Sequence, residues 1–303
     1  MPSMTGRRWM PRSDRGSKLW RQARIAAGSP SSPPSHGLAF HAKTRDASAM
    51  IPRSFRPLAL AVFAAPLALA LSACGSGDSA GNSAAPSGEP LEKVAAPAGT
   101  SWADKVTKSK DGSYVMGNPD APIKLTEFAS LTCPHCAQFS ADSGEELPET
   151  FVNSGRVSFE FRNFVGNPLD LTMAMLVRCG TPESFFALTS QTFQNQQQLV
   201  EAWVAAGEQA ANQAAALPPG QRYNAMAQLA GLPAFYAARG IAADQAKQCL
   251  ADGAAAEKLV GDTGRQGEQY GITGTPSFLL NGSKLDVNTW PEVKAALENA
   301  GAR

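Results

Sequence analysis

Apolar residues along this chain follow two different periods, and the change between them divides it. Between 113 and 164 they come in short runs: Tyr114-Val115-Met116, Ile123 to Phe128, and Arg156 to Phe164, where apolar and charged residues alternate. Such runs predict strands over 113–117, 123–128 and 156–164, with Asn118-Pro119-Asp120-Ala121-Pro122 as the turn between the first two. A helical pattern starts at Cys133 and runs to about Val152, carrying Phe139, Leu147 and Phe151, with Pro148 as the expected kink. From about 167 to 264, Leu, Ala, Met, Phe and Gln dominate, with breaks at Gly180-Thr181-Pro182, Leu217 to Gly220 and Gly231-Leu232-Pro233. That stretch predicts a block of helices. A loop from Gly271 to Thr275 then enters Pro276. Ser277 to Leu280 reads as a strand, Asn281-Gly282 as a hairpin turn, and Ser283 to Val287 as the return strand. Thr289 is the expected cap of a last helix ending near Ala300.

Charge divides the chain differently. The first 56 residues carry 11 Lys/Arg and 2 Asp/Glu, whereas the rest carries 16 and 24. An acidic remainder lacks the basic stripe of a nucleic-acid binder. Arg53 and Arg56 precede the apolar run Pro57 to Leu71, and small residues close it. An apolar core of roughly 15 residues behind a short positive region describes an export signal, because a membrane span needs about 20. Leu71-Ser72-Ala73-Cys74 resembles a bacterial lipobox, which implies diacylglycerol on the Cys74 sulfur and cleavage just before it. The plainer alternative is an ordinary signal peptide with an incidental cysteine, but Leu71 fits a lipobox better than a small-residue cleavage rule. Met50 is then the expected start. Residues 1–49 are expected to be an upstream extension without structure, 50–73 the signal peptide, and 74–100 a flexible Gly/Ser/Ala tether. The folded domain is expected over 101–303, long enough for one well-buried core. Export places the remaining cysteines where disulfides persist.

The chemistry concentrates in Cys133-Pro134-His135-Cys136. Two cysteines at this spacing, where a strand turns into a helix, form a redox site rather than a structural clip. Disulfide exchange needs a thiolate. At a helix start the Cys133 sulfur meets unpaired N–H groups and the positive end of the helix dipole, and both favour the anion. Pro134 loses nothing in the first turn, where its missing N–H would be unpaired anyway. His135 adds a dipole or a positive charge beside the sulfur. Cys136, one helical step inward, is the expected buried resolving thiol. A zinc half-site is the rival reading, but zinc takes four ligands. His36 and His41 lie upstream of the cleavage site, so His135 is the only histidine of the mature chain, and no second close cysteine pair exists. The same scarcity disfavours a Cys-His hydrolase. Neither a metal nor a cofactor is expected.

The order strand, strand, redox loop, helix, strand, helical block, strand, hairpin, strand, helix resembles an α/β thioredoxin fold with a helical domain inserted, over about 167–264, before its second half. The helical insertion and the dipeptide Pro-His between the cysteines resemble the DsbA family of thiol–disulfide oxidoreductases. The motifs that carry this are Glu127-Phe128, Cys133-Pro134-His135-Cys136 and Gly274-Thr275-Pro276-Ser277-Phe278, and the resemblance covers roughly 113–300. It implies that Glu127 buffers protons for the buried cysteine, in a strand where a plain Glu would be costly. It implies that Pro276 is a cis-proline facing the disulfide, with Thr275 offering a backbone edge to a substrate peptide. Some alphaproteobacterial relatives carry a second disulfide across the helical block, which implies a Cys179–Cys249 pair; two buried, inert thiols are the plain alternative.

Three function classes follow. The first is a periplasmic oxidase that donates disulfides to exported cysteine-containing proteins, is recycled by a membrane redox partner and is held at a membrane through Cys74. The second is an isomerase or reductase kept reduced by a membrane partner. The third, a non-enzymatic lipoprotein or chaperone, fits poorly with two intact active-site cysteines. The Pro-His dipeptide favours the first, although Thr before a cis-proline also occurs in isomerases. A low-complexity tether in place of a dimerisation region favours a monomer.

Overall fold

Strand β3 (Ile123–Ala129) is the axis around which the rest is arranged. Six of its seven residues are buried, as expected of a strand covered on both faces. In the computed structural model, which describes residues 88–303, β3 pairs in parallel with β4 (Val157–Asn163) and antiparallel with β5 (Ser277–Leu280). The six-stranded sheet has the order β1-β2-β4-β3-β5-β6, completed by β1 (Val106–Lys108), β2 (Tyr114–Gly117) and β6 (Ser283–Lys284). The parallel β3–β4 pair requires a crossover, and α1 (Pro134–Ser143) lies within it. Phe139 of α1 packs at 4.5 Å from the Phe278 ring of β5 and 6.0 Å from Trp290, the first residue of the last helix. Each such buried aromatic contributes roughly 1.5–3 kcal/mol.

The sheet is the thioredoxin sheet expected from the sequence, and the inserted helices follow β4. They are α2 (Pro168–Val177), α3 (Phe185–Gln194), α4 (Gln196–Ala206), α5 (Glu208–Ala215), α6 (Pro219–Leu229), α7 (Leu232–Ala237), α8 (Ala243–Ala251) and α9 (Gly253–Tyr270). Nine of the ten residues of α2 are buried, so it is the insertion's central helix. α10 (Trp290–Asn299) closes the fold with a Thr289–Glu292 capping box, which ties both orphan ends of the first turn. The Asn281-Gly282 turn has φ of 50° and 83°, the pair of positive values a two-residue hairpin requires.

Several boundaries differ from those expected. Pro148 does not kink a long helix. α1 stops at Gly144, whose φ of 25° and N–H bond to Ser140 end it. A separate π-helical turn, Leu147–Val152, then holds Pro148 near its start, where no N–H is missed. The helical block runs past Gly264 to Tyr270 and ends at Gly271 in the left-handed region. β1 has no alternation to read, because only one of its three residues is buried. The return strand is two residues long, not five. The folded body also begins before residue 101. Gly88 N–H donates to Asn299 O, Leu91 N–H to Gly301 O, and Val94 N–H to Ser154 O. These bonds hold the end of the expected tether against the C-terminal helix and the turn before β4. Residues 1–49, the signal peptide 50–73 and Cys74 lie outside the described residues. No described helix is long and apolar enough to cross a membrane.

Cys179, just beyond α2, and Cys249 of α8 are joined by a disulfide with a Cα–Cα distance of 5.9 Å. It closes a loop of 70 residues, worth about 4 kcal/mol in the chain-entropy model. The double variant Cys179→Ala/Cys249→Ala should lose about 2–4 kcal/mol in urea unfolding; an unchanged midpoint would mean the bridge contributes nothing to stability.

Candidate active site

The site is built where β3 ends and α1 begins. Cys133 occupies the cap position of α1 with extended backbone, and no side chain caps the helix. The first-turn N–H groups are therefore free to face its sulfur. Cys133 is half-buried, whereas Cys136, one turn in, is fully buried. Pro134 and His135 between them are exposed. From the far side comes the loop before β5, whose Thr275–Pro276 peptide bond is cis. The Cys133 thiol donates to Thr275 O at 3.2 Å. Five of the seven residues singled out in the sequence thus meet around one sulfur: Cys133, His135 through its backbone, Cys136, Thr275 and Pro276.

The two sulfurs are driven apart electrostatically. Cys133 is pulled down to about 5, chiefly by a hydrogen bond from the Cys136 thiol. The Thr275 side chain and the backbone N–H groups of Cys136 and His135 act in the same direction, while partial burial opposes them. His135 thus acts on the sulfur through its N–H, at the helix start. Cys136 is pushed far up, first by burial, then by its hydrogen bond to Cys133 and the charge of Glu127. Glu127, the sixth residue before Cys133, is 3% exposed, and burial raises it to about 8. Its Oε1 has no hydrogen-bond partner. Near neutral pH, Glu127 is therefore an uncharged acid beneath the buried thiol.

The inserted helices hold the redox loop by contacts that sequence reasoning did not find. Asp170, fully buried in the first turn of α2, accepts the Leu131 N–H at 2.7 Å and the Gly166 N–H at 2.8 Å. Burial raises its carboxyl to about 6 against the pull of these donors. Asn167 caps α2 and donates to Thr132 Oγ1 at 2.8 Å. Gln196, at the start of α4 and 7% exposed, gives its Nε2 to Leu131 O at 2.9 Å and Cys133 O at 3.0 Å. A buried glutamine between a polar run and a helix carries no motif, so its only signal is tertiary. Gln196→Leu keeps the volume but strands the Leu131 carbonyl and takes one of two donors from Cys133 O, which keeps the Ala137 N–H at 3.1 Å. It should raise the Cys133 titration midpoint, read by thiolate absorbance; an unmoved midpoint would leave Gln196 a purely structural residue.

Comparison with known proteins agrees with this geometry. The profile of the family described as Thioredoxin matches residues 109–299. A protein of Rickettsia bellii, provisionally named a protein-disulfide oxidoreductase, is 26% identical over 197 residues, covering 65% of this chain and 68% of its own. The crystal structure of a protein-disulfide isomerase from Novosphingobium aromaticivorans superposes with a TM-score of 0.56 and 34% identity, covering 60% of this chain and 96% of that one. Wolbachia pipientis alpha-DsbA1 shares the fold at a TM-score of 0.50 and 23% identity, covering 62% of this chain and 90% of that one. The chain belongs to the thioredoxin family, as a protein thiol–disulfide oxidoreductase.

Proposed function

We propose that this protein donates the Cys133–Cys136 disulfide to exported cysteine-containing proteins in the periplasm. The observation that carries this direction is the stabilised Cys133 thiolate. A site that holds its reduced form comfortably is a strong oxidant, because reducing it is downhill. A client thiolate attacks the Cys133 Sγ, the Cys133–Cys136 bond breaks, and a client–Cys133 bond forms. Cys136 leaves as a thiolate that its apolar surroundings tolerate poorly. Glu127, protonated near neutral pH, supplies the proton. A second client thiolate then attacks the client sulfur and expels Cys133 as its stable thiolate. Two electrons pass from client to enzyme, and a membrane redox partner removes them. Thr275 offers its backbone to the client beside the attacked sulfur, and Pro276 keeps the approach narrow. The sequence around Cys74 supports lipid anchoring, with the chain after it as a tether and the chain acting as a monomer.

The second reading is an isomerase or reductase kept reduced by its partner. It is favoured by the 34% identical Novosphingobium protein, a protein-disulfide isomerase. The two readings separate in the reduction potential. An oxidase should equilibrate with glutathione at about −120 to −180 mV. A value near about −250 mV, with the pair mostly reduced in cells, would establish the reductase reading instead.

Cys133→Ser should abolish exchange, and Cys136→Ser should accumulate mixed disulfides on a non-reducing gel, since the Cys136 thiol that would release a trapped partner is gone; their absence would refute the division of roles. In Cys136→Ala the Cys133 midpoint should rise from about 5, because the hydrogen bond from the Cys136 thiol is removed.

The sign of the pH dependence follows from linkage. Cys133 is lowered from 9.0 to about 5 in the folded reduced protein. Its stabilisation is therefore complete above the ordinary value and lost as pH falls through about 5. The oxidised form has no such group. Urea melts should show the reduced protein's advantage shrinking from about pH 8 to about pH 4; a constant gap would contradict the thiolate.

A further inference from the structure

Between α1, α3 and the face of the sheet lies a cavity of about 260 Å3. Its walls are apolar, with Phe139, Phe159, Phe161, Phe186, Phe193 and Leu147 around it. Among the polar side chains that line it, beside Ser140, Ser143 and Ser190, are Glu127 at 3% and Thr189 at 4% exposure. Glu127 Oε1 and Thr189 Oγ1 both lack a hydrogen-bond partner. Buried polar atoms in native folds are nearly always paired, so two orphans facing one apolar space require a reason. The space is not sealed, since Gly144 and Ala187 on its rim are exposed and Ser140 and Ser190 are half-exposed.

The chemistry of the cavity selects its ligand. Both orphan atoms are oxygens able to accept. A carboxylate has acceptors only and could not pair with Glu127 in its ionised form, and a hydrocarbon would leave both atoms unpaired. An ammonium group has three donors and no acceptor, so one nitrogen can serve both oxygens. The phenyl faces around it attract a cation further. The volume lies below the usual range for drug-sized ligands, which limits the guest to one ring or branched chain with a short arm.

We propose that this cavity binds a small apolar primary amine, with its ammonium on Glu127 and Thr189 and its hydrocarbon part among the phenylalanines. Resting on the reading of Glu127 as proton donor, the bound amine holds Glu127 ionised and withholds the proton that Cys136 needs on leaving. Occupancy thus slows disulfide donation from a site that the client does not touch.

Calorimetric titration of phenethylamine into the oxidised and reduced protein tests this, with 2-phenylethanol as the uncharged analogue. Saturable binding at or below about 1 mM is expected, about ten-fold or more tighter than the alcohol. Glu127→Gln should remove that preference, and Ala187→Trp, placed over the rim, should remove binding. Thr189→Val weakens binding in the same way should Ala187→Trp fail to fold. No binding up to about 10 mM, equal affinity for amine and alcohol, or binding that survives both Ala187→Trp and Thr189→Val would overturn the site. Saturating amine should slow client oxidation several-fold; binding without slowing would overturn the coupling to Cys136. Because binding is read without client, a failed oxidase reading would leave it standing, and normal client oxidation without amine binding would overturn the cavity alone.

Discussion

Two sulfurs separated by two residues must live in opposite surroundings, and the rest of this structure serves that requirement. Cys133 needs donors and partial access to water, so that its anion is stable and reachable. Cys136 needs burial, so that it stays a thiol. One turn of helix at the end of a buried strand satisfies both, because the first residue faces the free N–H groups and the fourth points into the core. β3 places that turn, β5 brings Thr275 over it, and Phe139 fixes α1 against the sheet by packing on Phe278.

The same requirement explains the carboxyl group in the core. Glu127 would be an expensive residue in a central strand if it were only structural. Buried among apolar groups, it is held as a neutral acid at ordinary pH, close enough to Cys136 for its charge, when ionised, to raise that thiol further. Its unpaired oxygen opens on the cavity beneath α1, so the buried acid and the cavity are one physical feature.

The helical insertion does more than cover the site. Asp170, Asn167 and Gln196 reach from α2, its cap and α4 to bond Leu131, Thr132 and Cys133. The loop carrying the reactive sulfur therefore borrows its shape from helices distant in sequence. Loosening the insertion would be felt at the sulfur without any change in the cysteine pair.

Much of this was legible in the order of residues. Periodicity located β3, β4, β5 and the helical block, because a strand buried on both faces and a helix buried on one impose different spacings on apolar residues. The Cys133–Cys136 spacing gave the chemistry, because four residues at a helix start suffice to distinguish two thiols. Local steric rules gave the Asn281-Gly282 turn and the Thr289 cap. Other features depended on tertiary structure. A two-residue strand, a three-residue edge strand and a helix stopped by Gly144 rather than Pro148 depend on pairing and packing that no local pattern encodes. Asp170 and Gln196 are ordinary polar residues until folding brings them to the backbone of a loop 39 and 65 residues away in sequence. The residues of the redox motif are fixed by sequence alone, but its acidity is set by burial and by donors from separate segments, since solvation and hydrogen bonding are properties of a place in the fold.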